Sequence, residues 1–209
     1  MKKIFVFTLV TALALCAVEV YPAEPNKKSQ EANRLAREGA DAAKNQDWDK
    51  AVELLRKATN LEHKYADELA AVYQGRGYAA AKNQQFQEAV QDFTEALKIK
   101  SNDPRIYEQR AAAEMKVYDY DKALADYSEA SKLKPNEVRY YNYRAYIYET
   151  KEDAQNSMAE TDKALKIDPN NQEAKERKQR LERKQAEKMP TPPPTTPAPK
   201  KSPPAKKRP

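Results

Sequence analysis

Apolar residues along the middle of the chain recur at spacings of three and four, the period of a helix with one buried face. No run between residues 32 and 188 is long enough to be apolar throughout. The pattern also repeats as a block. Asp119-Tyr-Asp-Lys-Ala-Leu-Ala-Asp-Tyr-Ser-Glu-Ala lies 34 residues after Gln85-Phe-Gln-Glu-Ala-Val-Gln-Asp-Phe-Thr-Glu-Ala. A further 34 residues on stands Asp153-Ala-Gln-Asn-Ser-Met-Ala-Glu-Thr-Asp-Lys-Ala, and an earlier copy begins at Asp47-Trp-Asp-Lys-Ala-Val. The blocks close alike, on Lys-Ser-Asn, Lys-Pro-Asn and Asp-Pro-Asn.

This register predicts units at 32–65, 70–103, 104–137 and 138–171, with Ala66–Leu69 as an insertion after the first. Each unit reads as two helices. The first carries a large residue and a small one four positions on. The second carries an aromatic, then Ala, then a large residue, then Ala. A small residue lets paired helices approach to about 8–10 Å. One pair cannot bury its own apolar face, so stacked pairs must share a core. The register therefore overrides the strand propensity of Tyr140-Tyr-Asn-Tyr-Arg-Ala-Tyr-Ile-Tyr. Tyr141, Ala145 and Tyr148 fall on the core side of a helix, Tyr143 and Tyr146 on another face, and Tyr140 is not assigned to either.

The pattern resembles the tetratricopeptide repeat family over residues 32–171. The matching positions are Leu35, Gly39, Trp48, Ala51, Leu55 and Ala58 in the first unit, and Tyr73, Gly77, Phe86, Ala89, Phe93 and Ala96 in the second. The third has Tyr107, Ala111, Tyr120, Ala123, Tyr127, Ala130 and Pro135, and the fourth Tyr141, Ala145, Tyr148, Ala164 and Pro169. The fourth departs from the pattern at Ala154, Ser157 and Thr161. The resemblance implies an all-α, right-handed α-solenoid of four helix-turn-helix units, with residues 172–188 as a charged closing helix. It also implies a noncatalytic scaffold that takes a peptide segment of a partner protein in a concave groove lined by the first helices. Projected onto this chain, the groove positions are Asn33, Lys44, Gln74, Tyr78, Lys82, Arg105, Glu108, Met115, Lys116, Arg139, Asn142, Tyr143, Tyr146 and Glu149. The family's clamp for chaperone carboxyl termini is not reproduced: Ala36, Ala40 and Gly75 stand where it needs polar side chains.

Arg76, Arg110 and Arg144 precede the small residue of the first helix in three units, and Asp92, Asp126 and Glu160 follow them by 16 residues. In the first unit both partners change together, to Glu38 and Leu54. This covariation within the chain predicts an ion pair clipping the two helices of each unit.

Composition narrows the function classes. Only three glycines in 209 residues predict little left-handed backbone. The net charge of +6 resides mostly in residues 189–209, which carry five cations and no acid, leaving +1 on 26–188. A nucleic-acid-binding fold puts its basic stripe on the fold itself, so this distribution argues against nucleic acid. One cysteine, Cys16, and one histidine, His63, give no disulfide, zinc set or nucleophile–base pair, so the chain reads as a nonenzyme without cofactor. His63 reads as a surface or capping residue.

The two ends predict an address and a tail. Residues 1–23 read as a cleaved export signal: Lys2 and Lys3, an uncharged stretch from Ile4 to Val18, then polar residues. This places the protein in the periplasm or outside the cell, with a lipid anchor on Cys16 as the alternative, and 24–31 as a linker. Residues 189–209 hold nine prolines and read as an extended, disordered Pro/Lys-rich tail. A second functional reading follows: the tail binds an anionic envelope polymer or lipid headgroups while the repeats act as a spacer.

Overall fold

The computed structural model describes residues 26–188. The export signal expected over residues 1–23, Cys16, and the basic tail lie outside the described residues. Nine α-helices run through the described part: α1 (Lys27–Lys44), α2 (Trp48–Leu61), α3 (Ala66–Lys82), α4 (Phe86–Ile99), α5 (Pro104–Lys116), α6 (Tyr120–Leu133), α7 (Val138–Thr150), α8 (Ala154–Ile167) and α9 (Gln172–Lys188). They form four antiparallel hairpins, α1–α2, α3–α4, α5–α6 and α7–α8, and each second helix packs on the first helix of the next hairpin. The fold is an all-α solenoid closed by α9. The four inserted residues become an extra turn at the start of α3, where Ala66 and Leu69 are buried, after a short 3-10 turn over His63–Tyr65. His63 is exposed.

Helix starts follow local chemistry. The side chains of Asn26, Asp103, Asp119 and Asp153 accept hydrogen bonds from backbone N–H groups of the first turns of α1, α5, α6 and α8. Pro104 supplies a preset φ at the first turn of α5.

Within each hairpin a small residue meets a large one. A Cβ on Gly77 would sit 3.0 Å from the Phe93 ring, and one on Gly39 would sit 2.9 Å from Leu55 Cγ. In the third hairpin Ala111 is fully buried in the cluster that holds Tyr127. The fourth hairpin has neither ring nor leucine there. Ser157 and Thr161 are fully buried instead, and the Ser157 hydroxyl donates to the Ala145 carbonyl at 2.9 Å. A hydrogen bond across the hairpin thus stands where the others have apolar contact.

Of the residues assigned to the core, Leu35, Gly39, Ala51, Tyr73, Gly77, Ala89, Phe93, Ala111, Ala123, Tyr127, Ala145 and Ala164 are buried. Trp48, Phe86, Tyr107, Tyr120, Tyr141 and Tyr148 are half-buried. The unassigned Tyr140 is the ring of α7 that is most buried, at 1% exposure, and Tyr141 lies nearer the surface, its hydroxyl donating to the Pro135 carbonyl. Tyr140 stands 34 residues after Ile106, also 1% exposed, so this position is a stacking position between units.

The arginine pairs form in all three units. Arg76–Asp92 and Arg110–Asp126 are bidentate at 2.7–2.9 Å, and Arg144–Glu160 closes at 2.9 Å. Each arginine also reaches back to the second helix of the preceding hairpin: Arg76 to Asp49, Arg110 to Thr94, and Arg144 to Ser131 at a longer 3.5 Å. The pair is therefore a three-way clasp rather than a clip within one unit. Beside the second clasp, Glu114 is buried with one carboxyl oxygen unpartnered, and Arg110 Nε lies 3.9 Å from the other. Burial, reinforced by the nearby Asp126 charge, pushes the Glu114 carboxyl up to about 7.

Each hairpin turn contains one residue with positive φ: Gln46, Gln84, Tyr118 and Glu152, at φ 61–64°. The scarcity of glycine does not mean an absence of left-handed backbone, contrary to the expectation from composition. The turn geometry is imposed by hydrogen bonds such as Gln85 N–H to Ala80 C=O at 2.9 Å, repeated at Asp47, Asp119 and Asp153.

Two outcomes follow. Gln84 is exposed and its φ is 64°, so Gln84→Gly relieves left-handed strain and raises stability by ~0.5–1 kcal/mol in urea unfolding. Glu114 holds its proton more tightly folded than unfolded, so it costs stability as pH rises from the ordinary glutamate value through about 7. Glu114→Gln is expected to match the wild type in melting temperature near about pH 5 and to exceed it near about pH 8. A constant difference across that range would refute this assignment.

Candidate functional site

The first helices α3, α5 and α7 are joined to one another by polar side chains one repeat apart. Gln74 Nε2 donates to Gln109 Oε1 at 2.6 Å, between α3 and α5. Glu108 takes Arg139 at 2.9 Å and the Tyr140 hydroxyl at 3.4 Å, between α5 and α7. Asn142 donates to Asn171 Oδ1 at 3.1 Å, and that oxygen also caps α9 through the Ala174 N–H. Gln74, Glu108 and Asn142 are 34 residues apart, so one register position ties each first helix to the next element.

This corrects the assignment of Asn142 to an open groove. It is buried at 6% exposure because α9 and its cap close over it. Gln74 and Glu108 are half-buried and engaged. Asn33 takes the Tyr65 hydroxyl, Met115 packs against the core, and Glu149 is held by Arg180 at 2.8 and 2.9 Å. The Arg180 guanidinium holds the Glu149 carboxyl below the usual range.

The cations divide in the same way. Lys44 pairs with Asp41 at 3.0 Å, Arg105 with Asp103 at 2.8 Å, and Arg139 with Glu137 as well as Glu108. Asp103 is held below the usual carboxylate range by Arg105 and by the Arg105 backbone N–H. Lys82 and Lys116, 34 residues apart in the last turns of α3 and α5, are exposed and have no ion pair among the described residues.

Aromatic surface completes the face. Tyr78 is 62%, Tyr146 47% and Tyr143 40% exposed. Tyr143 stacks on Tyr127 at 4.8 Å and 16°, so one side of its ring is packed and the other is open. Tyr118, which the repeat register did not single out, is 78% exposed and stands edge-on to Tyr120. Its signal would have been a large residue at the left-handed turn position. What remains available on α3 and α7 is three rings, Tyr78, Tyr143 and Tyr146, that offer flat apolar area with a hydroxyl edge, beside the free ammonium groups of Lys82 and Lys116. No group of three or more potential metal ligands occurs among the described residues.

Comparison with known proteins agrees with this geometry. Family models described as tetratricopeptide repeat match residues 70–103 and 109–172. No curated protein matches the chain. Among solved structures, the Arabidopsis OM64 tetratricopeptide domain is 29% identical, with 56% of this chain and 98% of that one covered and a TM-score of 0.52. A tetratricopeptide repeat protein from Parabacteroides merdae shares 22% identity over 76% of this chain and 61% of its own length, with a TM-score of 0.59. The first such domain of Spaghetti (RPAP3), solved with an HSP90 peptide, is 20% identical over 56% and 93% of the two chains, with a TM-score of 0.52. With four hairpins in one register and two of its segments matched as such repeats, the chain is a tetratricopeptide repeat protein.

Proposed function

We propose that this protein is a noncatalytic interaction scaffold that holds an extended segment of a partner protein across the first-helix face of α3, α5 and α7, and that it works in the cell envelope. One observation carries the reading. Among the groove positions projected from the sequence, Tyr78, Tyr143, Tyr146, Lys82 and Lys116 are exposed without a carboxylate to hold them, while Arg105 and Arg139 are exposed but paired. Such a face favours a segment with apolar or aromatic side chains interleaved with carboxylates. A tetratricopeptide domain of similar fold was solved holding a peptide, which supports this mode of use. The envelope address rests on the basic and then apolar start of the sequence.

Panning a random peptide display library against the chain lacking residues 1–23 tests the reading. The expected winners carry acidic and apolar residues. Tyr78→Ser/Tyr146→Ser is expected to weaken them by about tenfold or more, as loss of interface tyrosines does. Lys82→Glu/Lys116→Glu is expected to abolish the acidic preference. Arg105 and Arg139 are poorer reporters because carboxylates already hold them. Winners that bind both variants undiminished would place the site elsewhere. Retention that depends on residues 190–209 alone would favour the basic tail as the binding element.

A further inference from the structure

The seam between α8 and α9 differs from the seams before it. Helix α9 keeps half of a first helix. Ala174 and Leu181 stand 34 residues after Tyr140 and Ile147, and all four are buried at 3% exposure or less. Lys178 stands 34 residues after Arg144 and reaches back to Asp162 of α8 at 2.7 Å, as Arg110 reaches back to Thr94 in the same register. The side that would meet a second helix of its own hairpin carries Lys175, Gln179 and Glu182 instead of a ring and a small residue. α9 therefore stacks as a first helix does but has no partner beyond it among the described residues.

The first position of α8 completes the difference. Trp48, Phe86 and Tyr120 begin α2, α4 and α6, while Ala154 begins α8. Trp48 crosses the first seam: a Cβ on Gly75 of α3 would lie 2.9 Å from the indole edge. That seam is walled by α4 and leaves about 440 Å³. Among the described residues the α8–α9 seam has no fourth wall and no ring. It forms a hollow of about 870 Å³, lined by Ala154, Met158, Ala159, Leu181, Gln185 and Lys188. Leu181 and Gln185 occupy the register of Ala79 and Asn83, which line the first seam, so the two spaces are equivalent.

We propose that the α8–α9 seam is a second docking site, separate from the first-helix face, and that it takes an aromatic side chain presented by a segment of a partner protein. The equivalent position in each earlier unit carries an aromatic ring from the chain itself; here the ring is missing, and although the buried Arg177 stands in the register of Gly75, a hollow remains beside it. Ala154, Met158, Ala159 and Leu181 supply apolar contact for the ring. Gln185, Lys184 and Glu152 also line the hollow, and their polar ends suit the peptide backbone on either side of the ring.

Isotope-labelled full chain, titrated with indole and with the capped tripeptides Ala-Phe-Ala and Ala-Ala-Ala, tests this by amide chemical shifts. Indole and the phenylalanine peptide are expected to give saturable shifts in residues 154–162 and 181–188, with half-saturation on the order of 1 mM, and the alanine peptide none. Ala154→Phe restores the ring from within. It is expected to weaken both ligands by about tenfold or more and to raise the melting temperature, whereas Ala154→Ser keeps the hollow and the binding. Undiminished binding to Ala154→Phe, or no saturable shift at the seam, overturns the proposal. So does binding that appears only after residues 189–209 are removed, or a dimer in sedimentation that Ala154→Phe dissolves. Those last two results would assign the seam to the chain's own tail or to a second copy. None of these outcomes bears on the first-helix face.

Discussion

Close approach of two helices at a small residue governs this molecule. Gly39 under Leu55 and Gly77 under Phe93 set the helix spacing in the first two hairpins, and Ala111 and Ala145 stand at the same register position in the next two. Burying a ring of that size contributes about 1.5–3 kcal/mol. No hairpin can keep that gain alone, because its far side remains wet. Stacking extends the burial from hairpin to hairpin, through Ile106, Tyr140 and Ile147. The clasps then join α3, α5 and α7 each to two second helices at once. A buried or half-buried ion pair gives little net stability, but it penalises a wrong geometry. The clasps are thus better understood as fixing how each hairpin sits on the last than as a source of stability.

The same economy shapes the first-helix face. Polar residues there were read from the sequence as one set, but the structure splits them. Gln74, Glu108 and Asn142 join neighbouring elements, and Arg105 and Arg139 are held by carboxylates close by in sequence or one hairpin away. The free groups are tyrosines and two lysines.

Sequence periodicity revealed the hairpins, the small-to-large contacts and the arginine pairs, because each is fixed by spacing alone. It was weaker where two readings share one spacing. Tyr140 and Tyr141 are adjacent on one helix, and which of them faces the preceding unit depends on the stacking angle, which no single unit encodes. Asn142 looked open because its partner, Asn171, belongs to the cap of α9. The left-handed turns were hidden because glutamine, tyrosine and glutamate hold a conformation that glycine usually marks. Glu114 gave no signal either. Its counterparts are Ala80 and Tyr148, and only the fold shows a carboxyl buried beside a clasp.

α9 shows how such a stack can end. It has the inward apolar contacts of an ordinary first helix, and it adds ion pairs that only the last hairpin can answer: Arg180 with Glu149 of α7 and Lys178 with Asp162 of α8. Ala81 and Met115 stand in the register of Glu149, and Thr94 and Ser128 in that of Asp162. The end of the stack is therefore general in its apolar face and fitted to its neighbour in its charges, so a chain of this kind is lengthened by whole hairpins only ahead of the last one.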